Sequence, residues 1–280
     1  MALSLYACAN CGFWQRWFAA PPDCPVCTDP RNALPEDGWR FLPAREVAER
    51  STGRWTRLAP DLVAFNTDPP LGLNGTGWLL LRPEGNVAFE AAPFYTDAML
   101  DEIGRLGGIA VLAASHAHGY GALWQLQEAF APQLAIHTGD LALTKAFDVT
   151  WPYDEATEIG PGLTLHPVGG HYAGQAALHD AGGRRLFCGD MFKVDQDADG
   201  RAVALSAHKA FHKDIPLTPR ELRRYREVIA PLAFDAVLTS FEHAPDVGRD
   251  LCLAALDAWI AQPPRVRRHP VPMSANGEAA

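Results

Sequence analysis

The chain has 280 residues, 48% of them hydrophobic and 20% charged, which suits one large domain or one and a half with a sizeable core and excludes bulk disorder. A formal net charge of −9 argues against nucleic acid or an anionic membrane as the main partner, since both need a basic face. No apolar run of about 18 residues predicts a transmembrane helix, and the opening Met-Ala-Leu-Ser-Leu-Tyr-Ala-Cys lacks the basic start and long apolar stretch of a secretion signal. The expectation is a soluble cytoplasmic protein acting on a small-molecule substrate.

Residues 1–33 read as a metal ribbon. Cys8/Cys11 and Cys24/Cys27 form two Cys-x-x-Cys pairs separated by twelve residues. Each turn presents two thiolates, and two turns complete a tetrahedron around one ion. So short a segment has little core of its own, so metal binding would supply its folding energy. Cys11-Gly12 and Cys24-Pro25-Val26-Cys27 resemble the two knuckles of a rubredoxin-type ribbon. Four thiolates suit Zn2+ and iron alike. The intervening Phe13, Trp14, Trp17 and Phe18 are expected to cover the knuckle or to dock on the next domain. Cys188 and Cys252, isolated in apolar surroundings, read as small buried hydrophobes.

Residues 34–61 read as a connector, interrupted by Pro35, Gly38, Pro43, Gly53 and Pro60, with a short helix over Ala44–Ser51. From Leu62 strands are predicted at Leu62–Phe65, Trp78–Leu81 and Val87–Phe89, the last two joined by a turn at Pro83–Asn86. A helix follows over Thr96–Leu106, with Thr96 as N-cap and Gly107 past its end. Next come a buried strand at Ile109–Ala114, a helix over Ala122–Phe130 and a strand at Leu134–His137. Strands are then predicted at Leu163–Pro167, Gln175–His179 and Arg185–Cys188, while residues 198–210 are ambiguous. Thr218, Pro219 and Glu221 make a capping box for a helix to Ile229; Phe234–Leu238 is a strand and Val247–Ile260 a helix. Residues 263–280, proline-rich and then small and polar, read as a flexible tail.

Four of these strands end in a metal-ligating side chain. His116 and His118 follow Ile109–Ala114, His171 follows Leu163–Pro167, Asp190 follows Arg185–Cys188, and His243 follows Phe234–Leu238. Side chains alternate along an extended chain, so His116 and His118 point to one side. The carboxyl edge of a sheet is also where open α/β sheets bind ligands. His208 and His212 are read as a solvated face.

Over about residues 62–262 this pattern resembles the metallo-β-lactamase fold, an α/β architecture of two sheets packed face to face with helices outside (αββα). That family opens its metal site with His-x-His-x-Asp-His, followed by a histidine in a Gly-His turn, an aspartate after glycine, and a last histidine after a strand. His116, His118, His171, Asp190 and His243 match in order. The whole chain resembles bacterial members with an N-terminal two-knuckle ribbon and the form Ser-His-x-His-x-Tyr. Tyr120-Gly121 replaces the family's Asp-His, and Glu90 stands where the family has an earlier aspartate. The resemblance therefore implies one intact site for Zn2+ or another divalent metal, held by His116, His118 and His171 with Asp190, and a degraded second site. Asp190, His243 and Tyr120 are the candidates to orient or deprotonate water. A metal-dependent hydrolase of esters, thioesters, lactones or amides ranks first, ahead of a degenerate binding module and of an iron redox protein with the ribbon as electron carrier.

Overall fold

The computed structural model describes residues 2–29, 31, 32, 34–262 and 265–272. Strands β1 (Ser4–Cys8), β2 (Trp14–Trp17) and β3 (Phe41–Pro43) form a small antiparallel sheet of order β2-β1-β3. Helix α1 (Ala44–Arg50) leads to β4 (Thr52–Ala59), β5 (Leu62–Asp68), β6 (Gly77–Leu80) and β7 (Val87–Phe89), each antiparallel to the next. Helix α2 (Asp97–Arg105), β8 (Val111–Ala113), α3 (Leu123–Phe130), β9 (Gln133–His137) and β10 (Trp151–Tyr153) then extend the same seven-stranded sheet by parallel pairing.

A second, six-stranded sheet begins with β11 (Thr157–Gly160), β12 (Leu163–Pro167), β13 (Ala176–Asp180) and β14 (Arg185–Phe187). The chain leaves it for two hairpins, β15 (Lys193–Gln196) with β16 (Ala202–Ser206) and β17 (His208–Ala210) with β18 (Ile215–Pro216), and for helix α4 (Pro219–Ile229). The expected capping box at Thr218 and Glu221 is present. β19 (Ala236–Leu238) rejoins the sheet in parallel beside β14, followed by β20 (His243–Ala244) and α5 (Arg249–Ile260). β21 (His269–Pro270) pairs with β16, so the chain is still packed well after residue 263; the end of the expected tail, 273–280, lies outside the described residues.

Side-chain parity explains the layers. Leu62 and Ala64 of β5, Trp78 and Leu80 of β6, and Phe89 of β7 meet Leu165, Leu178, Phe187 and Leu238 between the sheets. Their neighbours Val63, Phe65, Leu79 and Ala88 face outward, yet are covered by α2, α3 and the ribbon. Because both faces are buried, these strands read as continuous apolar runs rather than alternating ones. Phe187 stands edge-on to both Trp78 and Phe89, with ring centroids 6.3 and 5.9 Å away. Helices α4 and α5 cover the far face of the second sheet through Leu222, Tyr225, Ile229, Leu256 and Trp259. The αββα arrangement follows.

The ribbon is fastened to this sandwich. Trp14 is fully buried, its indole Nε1 donates to the Pro93 carbonyl at 2.8 Å, and its ring meets Trp124 at 5.3 Å. Phe13 is buried too, whereas Trp17 and Phe18 stay exposed. Gly72 (φ +59°) lies so close that a Cβ there would collide with the Cys11–Gly12 backbone. β4, within the expected connector, is an edge strand of the large sheet with mostly exposed side chains, so no apolar pattern announces it.

At the end of the sandwich where β14 starts, Arg185 donates to Asp180 at 2.5 Å and to Asp61, and Arg82 bridges the same two carboxylates at 2.8 and 2.7 Å. Arg185 holds the Asp61 carboxyl down, from 3.8 to about 2, with Arg82 adding to it. A carboxyl depressed in the folded state contributes stability that is complete above its unfolded value and lost as pH falls through the folded one. Asp61→Asn is therefore expected to flatten the decline in stability between pH about 4 and about 2, as read by urea unfolding of both proteins across that range. The effect is modest, because 38% of the Asp61 side chain is exposed to screening solvent.

Candidate metal centres

Two clusters emerge from separate logic. In the ribbon, the β1–β2 turn and the 24–27 turn bring Cys8, Cys11, Cys24 and Cys27 together, all buried. Cys8 and Cys27 Sγ are 4.0 Å apart, Cys11 and Cys24 Sγ 3.6 Å. Four thiolates at about 2.3 Å from a tetrahedral ion lie about 3.8 Å from one another, so the donors already have the spacing of a closed four-sulphur shell. Cys11 holds the Cys8 thiol well below its ordinary value, while Cys24 pushes Cys11 well above its own. Asn10 Nδ2 donates to Cys27 Sγ at 3.2 Å.

The second cluster gathers three segments. After β8, His116 precedes a short 3-10 turn and His118 lies within it; His171 lies in the loop between β12 and β13, and Asp190 just past β14. Asp190 Oδ2 lies 3.2 Å from His116 Nε2, 3.5 Å from His118 Nδ1 and 3.6 Å from His171 Nε2, and the last two nitrogens are 3.4 Å apart. Donors about 2.0–2.1 Å from a tetrahedral ion stand about 3.4 Å from each other. The set fits one metal, with the Asp190 carboxylate as fourth ligand. Burial opposes its ionisation, but the imidazoles, His116 foremost, hold the Asp190 carboxyl well below the usual carboxylate range. Burial pushes His171 down to about 3, leaving it neutral, as a ligand must be.

Hydrogen bonds behind the ligands fix which nitrogen is offered. Ser115 Oγ donates to the buried Glu90 Oε1, so it accepts from His116 Nδ1 at 2.8 Å and leaves Nε2 for the metal. His171 Nδ1 is 3.0 Å from the Lys209 carbonyl, which orients its Nε2 in the same way. Asp140 Oδ1 accepts from Gly174 N at 2.9 Å and steadies the loop that carries His171. Glu90 also accepts from Ser240 Oγ at 3.1 Å, and burial raises its carboxyl to about 7. Sequence reading finds Glu90 by its position after β7, but Asp140 has no such signal.

Two expected site residues lie elsewhere. Tyr120 is buried in the core with its ring 5.2 Å from Phe147 and does not line the cavity beside the histidines. It follows the 3-10 turn, which directs it inward under α3. His243 does not line the cavity either: Arg185 and Asp246 act on its ring, and its carbonyl accepts from Gln196 Nε2 at 2.9 Å. Glu242, in the turn between β19 and β20, lines the cavity instead, together with Phe241. His208 and His212, expected on a solvated face, line the cavity too, because their stretch is a hairpin and not a helix.

The cavity has a volume of about 340 Å³ and is walled by Leu73, Phe192, Phe211 and Phe241, with His118, His171 and Asp190 at one side. Ribbon and cavity share structure. Arg31 is paired with Asp29, donates to the His171 carbonyl at 2.8 Å and lies over the Tyr172 ring at 5.6 Å. A small pocket of about 40 Å³ has Cys11, Cys27 and His118 on its walls together.

Fold and site thus define a two-sheet αββα protein with a three-histidine, one-aspartate centre suited to a divalent metal, joined to a four-cysteine cluster. The profile of the metallo-beta-lactamase superfamily matches residues 98–233. A Bacillus subtilis (strain 168) protein described as "Uncharacterized protein YmaE" is 26% identical over 245 residues, which is 84% of this chain and 88% of its own length. Solved structures with similar folds include VMB-1 (TM-score 0.54, 12% identity, 74% of this chain and 97% of that one). The metallo-beta-lactamase of Hirschia baltica gives a TM-score of 0.51 at 17% identity over 75% of this chain and 98% of its own. The chemotaxis sensor ODP, solved as a peroxy diiron species, gives 0.51 at 14% identity over 73% and 93%. Residues 98–233 thus carry the match to a metallo-beta-lactamase superfamily domain, and the two-sheet sandwich around them has the fold of these structures. Among the described residues no helix is long and apolar enough to cross a membrane.

Proposed function

We propose that the chain is a metal-dependent hydrolase that uses a single metal, zinc by its donor set, on an ester, thioester, lactone or amide. The observation that carries this reading is the meeting of His116, His118, His171 and Asp190, whose donor atoms all lie within 4.8 Å of one another at the wall of a substrate-sized cavity. A divalent ion there supplies carbonyl polarisation and a water acidic enough to react near neutral pH. The protein's own groups do the rest. Phe192, Phe211 and Phe241 receive the apolar part of the substrate and exclude water. Glu242, whose carboxyl is raised by burial and hydrogen-bonded by Thr239, is placed to take up and return a proton. With Tyr120 in the core and His243 off the cavity wall, the second metal position of the resembled family lacks its ligands here, which favours one ion at this centre.

His116→Ala combined with His118→Ala is expected to remove one metal equivalent per chain while the ribbon keeps its own. Hydrolysis of an ester and thioester panel should fall by about a hundredfold or more. Unchanged metal stoichiometry in that double variant would reject the assignment. A second reading, iron in the ribbon exchanging electrons with a metal at the imidazoles, draws support from the pocket that Cys11, Cys27 and His118 share. A red ferric four-thiolate protein with iron by elemental analysis selects it; a colourless zinc protein does not.

A further inference from the structure

Beside the metal cavity lies a second chamber, of about 590 Å³, that shares Lys193, His208 and Asp214 with it. Its other walls include Arg265, Arg267 and Arg268. In a chain of net charge −9, four cationic side chains here face only two carboxylates, Asp195 and Asp214. Asp195 is already shared, accepting from Arg268 at 2.7 Å and lying 3.4 Å from Lys193 Nζ. Asp214 is 3.8 Å from His208 Nδ1. Among the described residues no carboxylate pairs with Arg265 or Arg267, and the buried Nε of Arg267 and Nδ1 of His208 have no hydrogen-bond partner. Just past the arginines the chain is paired: β21 lies against β16, and Val271 N donates to the Val203 carbonyl at 3.0 Å.

Like charges gathered in one concavity repel unless an anion visits, and an orphaned guanidinium N–H forgoes its bond until an acceptor arrives. Two guanidinium forks beside an ammonium match the several oxygens and higher charge of a phosphate better than those of one carboxylate. We infer that this chamber binds the phosphate of a phosphorylated substrate whose scissile acyl bond reaches the metal cavity past Lys193 and His208. This rests on the hydrolase reading and narrows its substrate to a phosphate-bearing ester or thioester.

The test uses inorganic pyrophosphate as probe, titrated calorimetrically into the metal-loaded full chain and three variants. Arg265→Gln with Arg267→Gln should weaken binding about tenfold or more with metal content unchanged. Arg265→Lys with Arg267→Lys should recover part of that loss, because charge returns without the fork. His116→Ala with His118→Ala should bind as tightly as the parent. Should the double Gln variant fail to fold, Arg265→Gln alone gives the same readout from an exposed position. No binding by the parent, or binding lost in the histidine variant and kept in the arginine variants, overturns the inference, since the ion then resides at the metal. Arginine-dependent binding in a protein that hydrolyses unphosphorylated esters but no phosphorylated one overturns the substrate assignment; arginine-dependent binding with no hydrolysis of any ester, thioester, lactone or amide removes the hydrolase reading and leaves the anion chamber standing.

Discussion

Serine at Cys11 and Cys24 together is expected to cost the chain one metal equivalent and the fold of its first thirty residues. The four Sγ atoms are buried at closed-shell spacing, and apart from the docking of Phe13 and Trp14 on the sandwich the segment has only a sheet of three short strands. Structural four-ligand zinc sites contribute on the order of 10–16 kcal/mol in isolated zinc-binding peptides, comparable to the whole stability of a typical domain. The effect should not stop at the ribbon. Arg31 anchors the His171 carbonyl, Asn32 lies on the cavity wall, and Cys11 backs onto His118. Loss of supporting contacts behind a metal ligand weakens affinity about ten- to a hundredfold. Metal counting, with a chelator competition on the remaining site, should therefore show fewer ions and a looser second one. Unaltered affinity at the imidazoles would mean that the ribbon is an independent module.

Alanine at Gly189 should be nearly as damaging by a different route. Gly189 has φ +52°, and a Cβ there would run into the Ser115 side chain and crowd Glu90 Oε1 at 3.1 Å. Both are the groups that orient His116, and the next residue is Asp190. Left-handed strain costs about 1–2 kcal/mol and over-packing about 1–3 more, so a loss of roughly 2–5 kcal/mol is expected. Gly200→Ala is the control: φ is +78° there but no atom lies within 4 Å, so strain acts alone and about 1–2 kcal/mol is expected. Urea unfolding of both variants separates clash from strain, and metal affinity should drop only for Gly189→Ala.

The parts of this molecule legible in its sequence are those where one physical requirement dominates. Leu62–Asp68 and Val87–Phe89 declare themselves because both of their faces are covered. The cysteine pairs do so because four thiolates at that spacing have little other use, and His116, His118, His171 and Asp190 because each ends a buried strand. β4 is unreadable, since an edge strand needs no apolar face. The strands of the hairpins at residues 193–216 are two to five residues long, too short to show a period, which hides that His208 and His212 reach the cavity. His243 shows the limit of order along the chain: the turn between β19 and β20 gives its place on the cavity wall to Glu242, and facing through a turn is set by packing. Tyr120 has the chemistry for a catalytic role, but the bend after His118 commits it to the core.

The anchorage of Trp14 also has a bearing on biosynthesis. Its indole is received by Pro93, Phe94 and Trp124, all far downstream. A nascent chain emerging amino end first can charge its knuckle with an ion while the surface meant for that tryptophan is still unmade. For some hundred residues of elongation the half-finished protein shows the ribosome exit a wet, greasy face, and the arrival of α3 closes it.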